Sequence, residues 1–498
     1  MEAIILGFQA VFSDPLVIVY LFFGVFFGIV FGCIPGLTAT LGVALLIPFT
    51  FSMTAVQGLT LLIAVYVGGI SGGLITATLI NIPGTPSSIF TCYDGYPLAK
   101  SGKPAEALST GAFASLVGGT ISALALFLLA PQLAKVSLIF GSWEYFAVSI
   151  LGLAVVVTLA SNDLLKGLIG ASIGLIAGCI GADGVTGVSR LTFGNWQLES
   201  GIQSTALMMG LFAIREIFNQ SKELGKPKYK INSGKISFIP PFKELKDCVP
   251  SMTLGCLIGT GIGILPGIGQ NAATLITYNQ AKQISKKPEM FGKGSFEGIC
   301  ASETSNNAVN GGALIPLITL GIPGDLTTAA LIGGLMIQGL QPGPLLFTTN
   351  TDIVGAVMVS YFLANIVMYF MELGLMRIFI KAVNVNFSIL FPIILMCCIL
   401  GVFALNNRLF DIWILIITGV IAYILQQFDL DMAPIILGFI LGPLIEKYYR
   451  MGMIAENGNI LSIFQRPIAT IFVIVAALFI VIPIFSKKIK KKKISLNI

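Results

Sequence analysis

A short polar segment of the chain carries a carboxylate and three amides at a spacing that could bind a ligand. Residues 301–312 read ASETSNNAVNGG and lead into an apolar run. In a helix, four of these positions follow an i, i+3, i+4, i+7 pattern and share one face: Glu303, Asn306, Asn307 and Asn310. Such a stripe should not face lipid. We predict that Glu303 binds a coupling ion and the asparagines bind substrate; a solvated helix start at the cytoplasmic edge is the alternative.

The composition predicts that most of the chain lies in a membrane. Of its 498 residues, 55% are hydrophobic and 10% are charged, whereas soluble proteins carry about 25% charged residues. Apolar runs of about 17 to 25 residues, enough to span a bilayer, recur along it. The chain lacks histidine, and its eight cysteines have no metal-ligand spacing. We therefore expect a polytopic helical membrane protein that is not an enzyme and does not bind nucleic acid.

The positions of the lysines predict the orientation in the membrane. No Lys or Arg precedes Lys100, whereas residues 222–246 hold seven lysines and residues 487–493 hold six. Such clusters beside membrane spans mark the cytoplasmic side. The central loop and the C-terminus are therefore predicted to be cytoplasmic and the N-terminus to lie outside.

The two hydrophobic halves repeat each other. The pattern G-x3-G-x3-G-x2-P-G occurs from Gly24 to Gly36 and again, 231 positions later, from Gly255 to Gly267. An Ile-Pro-Gly motif ending at Gly84 recurs at an offset of 240 and ends at Gly324. The positions that correspond to the polar stripe are mostly apolar in the first half: Ile63, Tyr66, Val67 and Ile70. The repeat therefore predicts a shared scaffold with a polar stripe only in its second copy.

Residues 251–281 are too long for one straight span and have lysines at both ends. We predict a re-entrant hairpin that turns at Gly267; a single kinked span is the alternative. With this geometry the repeats are inverted, with about 11 to 12 helices in all. The predicted divisions are a first repeat (1–217), a cytoplasmic linker (218–250), a second repeat (251–485) and a cytoplasmic tail (486–498). Helices are predicted near 56–80, 105–131, 138–160, 165–181, 203–217, 297–320, 352–376, 386–404, 411–427, 431–445 and 467–485, and residues 94–103 are predicted to be a cytoplasmic loop.

Proline and glycine interrupt the helices at four matched places, and polar residues follow each break. Broken helices in transporters offer free backbone N–H groups and carbonyls near the bilayer midplane. The predicted substrate residues at the breaks are Gly36, Thr38, Asn81, Gly84, Thr85, Ser87, Ser88, Gly267, Asn271 and Gly324. Thr40, Gln270, Thr274 and Thr328 could also line such a cavity. Asp325 and Thr327 join Glu303 as predicted ligands of a coupling ion, Na⁺ or H⁺, with no other cofactor.

Several motifs resemble the large membrane subunit of the tripartite tricarboxylate transporters, the TctA-type permeases. They are GCIPGL at 32–37, NIPGTPSS at 81–88, DGYPL at 94–98, GILPG at 263–267, the polar segment at 303–312, GIPGD at 321–325 and QPGPL at 341–345. The resemblance implies uptake of tricarboxylates or related carboxylates across the bacterial cytoplasmic membrane. It also implies two partners, a small membrane subunit and a periplasmic solute-binding protein. Thr38 and Ala39 depart from the glycine-rich stretch expected after the first break.

Two other functions remain open. A channel would need a continuous polar pathway without ion coupling. An intramembrane enzyme would have to use Ser87, Ser88 and Asp94 without histidine, and the nearest base, Lys100, lies in the predicted loop. Residues beside helix breaks are better explained by binding. For transport, an elevator-like movement of the hairpin-bearing core against helices such as 138–160 and 386–404 is the expected form.

Overall fold

Helices form nearly all of the described chain. The computed structural model describes residues 2–159, 163–183, 186–221, 240–383 and 387–495. Among these residues, eight helices are long and apolar enough to cross a membrane. They are Pro15–Cys33, Ala55–Ile80, Pro104–Ser137, Lys243–Ile264, Thr351–Gly374, Ser388–Asn406, Leu409–Gln427 and Met432–Ala455. The predicted class, an all-α polytopic membrane protein, is confirmed.

The helices of the first half are α1 (Glu2–Ser13), α2 (Pro15–Cys33), α3 (Ala39–Leu46), α4 (Ala55–Ile80), α5 (Ile89–Lys100), α6 (Pro104–Ser137), α7 (Ser142–Leu159), α8 (Leu164–Gly178), α9 (Ser204–Met209) and α10 (Arg215–Ser221). Two short strands, β1 (Gly181–Ala182) and β2 (Ser189–Arg190), pair antiparallel, and a π-helical turn spans Gly210–Ile214. The second half contains α11 (Phe242–Ile264), α12 (Gly269–Ile284), α13 (Phe296–Leu320), α14 (Leu326–Ile337), α15 (Leu346–Thr349), α16 (Thr351–Gly374), α17 (Met376–Ala382), α18 (Phe387–Asn406), α19 (Leu409–Gln427), α20 (Met432–Ala455) and α21 (Pro467–Ser495).

Several predicted boundaries were wrong: the helices predicted at 105–131 and 467–485 continue to Ser137 and Ser495, and two further differences concern α5 and α20. The predicted loop at 94–103 is mostly helical, because α5 continues to Lys100. Asp94 explains this: it is buried and accepts hydrogen bonds from backbone amides, so this segment packs inside the protein. The helix predicted at 431–445 continues to Ala455, where Gly452 packs against the Trp143 ring. Most of the predicted linker lies outside the described residues; its two ends, in α10 and α11, are helical.

The repeated glycines form the same helix contacts in both halves. In the first half, α2 packs against α4: Gly24 lies against Ala64, Gly28 against Val65 and Gly32 against Gly69. In the second half, α11 packs against α13: Gly255 lies against Thr304, Gly259 against Ser305 and Gly263 against Val309. These partners correspond at the offsets of 231 and 240. Small residues allow such close backbone approach in membranes, so the sequence repeat is also a repeat of packing.

The helix ends that follow these contacts also correspond. Asn81 ends α4 in the left-handed conformation with φ 58°, and Gly321 ends α13 at the corresponding position with φ 73°. Four residues later, Thr85 and Asp325 each precede a new helical turn. Each break therefore consists of a left-handed cap, a Pro-Gly pair and a polar residue at the start of the next helical segment.

The described chain forms two compact units. One comprises Met1–Ala134, Thr205–Ile264 and Gly269–Tyr423; the other comprises Lys135–Ser204, Leu265–Ile268 and Ile424–Ile498. In the second unit, α8 and α20 approach closely at Gly174 and Gly438. Its β-hairpin is tied to α20 by two ion pairs, Asp183 with Arg450 at 2.5 Å and Arg190 with Glu446 at 2.6 Å. The residues described below belong to the first unit unless stated otherwise.

Candidate functional site

Asp325 is the centre of a buried polar cluster. It caps the N-terminus of α14, where one carboxylate oxygen accepts hydrogen bonds from the Thr328 amide and hydroxyl, both at 2.7 Å. The other oxygen accepts from Gln270 Nε2 at 2.5 Å and from the Tyr66 hydroxyl. Asp325 is only 3% exposed. The cluster thus uses donors from α4, α12 and α14 to satisfy one carboxylate.

This cluster is where the two sequence halves meet. Gln270 Nε2 also donates to Asn310 Oδ1 at 3.2 Å, which connects the cluster to the polar face of α13. Thr40, at the start of α3, forms a hydroxyl hydrogen bond of 2.8 Å with Thr327. Tyr66 and Thr40 come from the first half, and the other members come from the second. Neither half could form the cluster alone.

Glu303 forms a second buried carboxylate site on α13. Its two oxygens accept hydrogen bonds from Thr91 Oγ1 at 2.5 Å and from Ser115 Oγ at 3.1 Å. Its side chain is inaccessible to solvent. Among the described residues, no Lys or Arg forms an ion pair with Glu303 or Asp325. Hydroxyl and amide groups alone therefore solvate both carboxylates.

The face of α13 between these two carboxylates has unused hydrogen-bonding capacity. Glu303 and Asn310 are two helical turns apart, or about 10 Å. Along this face the Asn306 Oδ1, Asn307 Oδ1 and Asn310 Nδ2 atoms are buried without a partner among the described residues. Residues 298–319 of α13 are all buried, so the alternative of a solvated helix start is wrong. Unpaired buried amides are costly in a protein interior, which makes this face a candidate to receive a ligand.

Hydroxyl groups form a third cluster at the break that follows α4. The Thr85 hydroxyl lies 2.8 Å from that of Ser88 and 3.2 Å from that of Ser87. All three residues are buried, and the turn that carries them packs against α12 and α13 of the other half. Thr76, one turn before the end of α4, adds a buried hydroxyl without a partner in the described chain.

Several residues that were predicted to bind substrate have packing or helix-capping roles in the structure. Gly84 and Gly324 serve close packing, since a Cβ there would lie 2.2 Å from the Gly32 carbonyl and 2.5 Å from the Gly263 carbonyl. Thr38 caps α3 by accepting a hydrogen bond from the Leu41 amide at 3.1 Å.

Four further predicted residues lie away from the buried clusters. Gly36 has φ +89° and lies against Gln220 and Glu216. Gly267 belongs to the second unit, where it lies against Val156. Asn81 and Asn271 are exposed.

Two functional candidates were missed by the predicted site. Tyr66 was noted only as the counterpart of Asn306, yet its hydroxyl binds Asp325. Glu372, on α16, is buried and accepts a hydrogen bond from Ser71 at 2.9 Å. The sequence does contain a signal that could have identified Glu372: it is a carboxylate within an apolar run long enough to span the membrane.

Asp94 has a structural arrangement that argues against the enzyme alternative. One of its oxygens accepts from the amides of Gly292, Gly294 and Ser295 at 2.8 to 3.0 Å, and the other accepts from the Tyr278 hydroxyl at 2.7 Å. These donors hold the loop between α12 and α13. Asp94 is thus occupied in fixing this loop rather than in activating a serine.

Buried carboxylates and amides beside interrupted membrane helices define a class, the helical membrane proteins with a polar interior. The comparison with protein families specifies it further: the model of the tripartite tricarboxylate transporter TctA family matches residues 18–437. The chain therefore belongs to that family, which supplies the large subunit of tripartite tricarboxylate transporters.

Two relatives from Agrobacterium vitis extend this comparison. An "uncharacterized 52.8 kDa protein in TAR-I ttuC' 3'region" is 34% identical over 490 residues, which cover 98% of this chain and 97% of the relative. An "uncharacterized protein in TAR-II ttuC' 3'region" is 34% identical over 211 residues, 42% of this chain and 87% of the relative. No solved structure matches.

Proposed function

We propose that the chain is the permease subunit of a secondary active transporter that takes up tricarboxylates or related carboxylates. A gradient of Na⁺ or H⁺ drives uptake, a periplasmic solute-binding protein delivers the substrate, and a small membrane subunit completes the complex. The observation that carries this proposal is the Asp325 cluster, which joins the two halves of a TctA family member at a helix break. Transporter sites occur at such breaks between repeats.

The membrane arrangement that we propose has 11 to 12 spans in two inverted repeats within the bacterial cytoplasmic membrane. The matched contacts of α2 with α4 and of α11 with α13 support a duplicated core. The shorter apolar helices, among them α3, α7, α8 and α14, supply the spans and half-spans beyond the eight long helices. The breaks at Gly36 and Gly267 form the tips of re-entrant hairpins, the N-terminus lies outside and the C-terminus is cytoplasmic.

The proposed substrate site uses hydroxyls, amides and helix N-termini to bind an anion. Its side chains are those of Thr85, Ser87, Ser88, Asn306, Asn307 and Asn310. Helix N-termini present free N–H groups and a partial positive charge. Glu303, Asp325 and Thr327 bind the coupling ion, whose charge offsets that of the carboxylate substrate. With hydroxyls, amides and helix N-termini for the substrate and carboxylates for the ion, an anion can bind without an arginine or lysine.

Alternating access follows from movement of the duplicated core. In the proposed cycle the core, with its broken helices, moves relative to a scaffold in an elevator-like manner. Ion binding at Glu303 and Asp325 removes uncompensated negative charge, so that the loaded core can cross the membrane. Net uptake requires the empty core to return, so the state that must move less readily is a core loaded with substrate but not with its ion, in which the negative charges of substrate and site add.

The test is uptake into proteoliposomes that contain the chain, its small subunit and the cognate binding protein. Di- and tricarboxylates are supplied with imposed Na⁺ or pH gradients. Asn310→Ala should reduce uptake, whereas Thr253→Ala should not, since Thr253 is exposed and its hydroxyl donates to the Val249 carbonyl of the same helix. Uptake that ignores both gradients would favour a channel and overturn the proposal.

A further inference from the structure

Glu372 is a buried carboxylate that the proposed site leaves unused. It lies near the C-terminal end of α16 and is 0% exposed. Its Oε2 atom accepts one hydrogen bond, from Ser71 Oγ on α4, at 2.9 Å. Its Oε1 atom has no partner among the described residues. One neutral donor is a poor substitute for the hydration that an ionised carboxylate has in water.

The groups that face Glu372 do not supply a positive charge. The titratable groups that influence its charge are the Cys33 thiol on α2 and the Glu303 carboxylate on α13, and neither is basic. Helix α4 contributes the Ser71 hydroxyl, which is neutral. The two basic residues of the adjoining α17, Arg377 and Lys381, are exposed, and in the described chain neither forms an ion pair with Glu372.

Helix α16 presents further polar groups on the face that carries Glu372. Tyr361 and Asn365 precede Glu372 by eleven and seven residues and share its face. The Tyr361 hydroxyl bonds Ser122 at 2.8 Å and donates to the Asn307 carbonyl at 3.3 Å. The buried polar side chains of α16 therefore lie along one face of that helix, and this face contacts the polar face of α13.

A buried carboxylate with one neutral hydrogen-bond donor and no basic partner among the described residues cannot remain ionised at low cost. In a low-dielectric interior, burial disfavours the ionised form. A positive charge must therefore accompany Glu372 while it is buried. A hard metal cation would need several oxygen ligands, whereas Glu372 has one hydroxyl beside it among the described residues. A proton needs no further ligand.

We propose that Glu372 binds the coupling proton of transport. This rests on the proposed function as a carboxylate symporter and specifies its ion. On the outer side the Glu372 carboxylate takes a proton from water and becomes a neutral carboxylic acid. On the cytoplasmic side the acid releases this proton to water and returns to the carboxylate. Each cycle moves one proton at Glu372 and requires no other reactant.

The experiment compares two modes of transport in the same proteoliposomes. One is carboxylate accumulation driven by an imposed pH gradient; the other is exchange of labelled for unlabelled carboxylate without a gradient. Glu372→Gln resembles the protonated acid and cannot release a proton. We expect the ratio of accumulation to exchange to fall by about tenfold or more in Glu372→Gln. The matched control is Glu106→Gln, since Glu106 is partly exposed and, within the described residues, its ion pair is with Lys103.

A second measurement follows the proton itself. Purified protein in weak buffer with a pH indicator should show a substrate-dependent proton uptake or release in the wild type, and this signal should be lost in Glu372→Gln. If Glu372→Gln does not insert, Ser71→Ala is used instead. It removes the donor that favours the ionised form, so the pH midpoint of uptake should move upward, and an unchanged midpoint would overturn the proposal.

The outcomes separate this inference from the function on which it rests. If Glu372→Gln keeps the wild-type ratio of accumulation to exchange, the role of Glu372 is refuted while carboxylate symport stands. The same holds if wild-type accumulation follows a Na⁺ gradient and ignores the pH gradient. If the wild type accumulates no carboxylate under either gradient although the binding protein is loaded, symport itself is refuted.

Discussion

The two copies of the repeat share their packing and differ in their chemistry. Both use glycines to bring a broken helix against a continuous one, and both follow the break with a polar residue. In the first copy that residue is Thr85, whose hydroxyl bonds Ser88; in the second it is Asp325, whose carboxylate bonds the corresponding Thr328. On the continuous helix, Ile63 of the first copy corresponds to Glu303 of the second.

This difference shows how a duplicated scaffold can acquire two functions. The neutral hydroxyl pair of the first copy suits binding of an anion, whereas the carboxylates of the second suit binding of a cation or proton. In each copy the segment that follows the break packs against helices of the other copy. The hydroxyls of the first copy and the carboxylates of the second therefore lie in one structural unit. The following predictions test whether the copies are equivalent in structure and unequal in function.

The largest effect is expected from removal of the charge in the second copy. Asp325→Asn keeps the side-chain shape but replaces acceptors for Gln270, Tyr66 and Thr328 with a neutral amide. Hydrogen bonds to charged groups contribute about 1.5–3 kcal/mol each, so loss of one or two should lower uptake by about ten- to a hundredfold or more. Initial rates of uptake in proteoliposomes measure this. A rate within twofold of the wild type would remove Asp325 from the ion site.

Next in size are matched glycine substitutions, which should affect both copies alike. In Gly32→Ala the new Cβ would lie 2.2 Å from the Gly69 carbonyl, and in Gly263→Ala it would lie 2.4 Å from the Val309 carbonyl. Overpacking of this kind costs about 1–3 kcal/mol. Thermal unfolding in detergent should show similar losses of stability for the two variants. Gly261→Ala, on α11 with open space around its Cβ, is the control; a loss confined to one copy would contradict equivalent packing.

A smaller effect is expected from the hydroxyl pair of the first copy. Thr85→Val removes the hydrogen bond to Ser88 and one candidate donor to the substrate. A neutral hydrogen bond contributes about 0.5–1.5 kcal/mol, which corresponds to a few-fold weaker substrate affinity. The KM for the carboxylate should rise while the dependence on the coupling ion stays unchanged. A change in ion dependence equal to that of Asp325→Asn would contradict the proposal that Thr85 binds substrate and Asp325 binds the ion.

The smallest effect concerns the left-handed helix caps. Asn81→Gly gives the first copy the residue type that Gly321 supplies in the second, and φ at these positions is 58° and 73°. Glycine adopts this conformation without steric cost, but it also gains entropy in the unfolded chain. Asn81→Gly should therefore change stability by less than about 1 kcal/mol. Gly321→Ala should be more destabilising, and the reverse order in thermal unfolding would contradict the assignment of matched caps.

The repeat could be predicted from the sequence because glycine and proline act through the backbone. Positions such as Gly28 and Gly259 must be small wherever two helices approach closely, so their spacing survives in both copies. The helices Ala55–Ile80 and Phe296–Leu320 were predicted within one residue for the same reason. The helical segment around Asp94 was not predicted, because its cause is tertiary: distant amides at 292–295 satisfy the carboxylate.

The sequence indicated where the site lies better than it indicated which residues form it. Asp325 stood out as a charge beside a helix break and Glu303 as the charge of a polar stripe, and both proved to be buried. Tyr66 and Ser115 gave no such signal, since one tyrosine or serine in an apolar helix is ordinary; they join the site only because α4 and α6 fold against the second copy. Gly36 and Gly267 were predicted to bind substrate from their backbone alone, and the structure shows side chains closely packed against both.

The central claim is that a cation or proton bound by the second copy strengthens carboxylate binding, and one equilibrium measurement tests it directly. Carboxylate affinity of the purified complex is measured by calorimetry over a series of Na⁺ concentrations at fixed pH and a series of pH values at fixed Na⁺. Thermodynamic linkage requires that affinity rise with whichever ion is coupled. We expect such a rise in the wild type and a weaker ion dependence in Asp325→Asn. An affinity in the wild type that is independent of both ions, or the same ion dependence in both proteins, would contradict it.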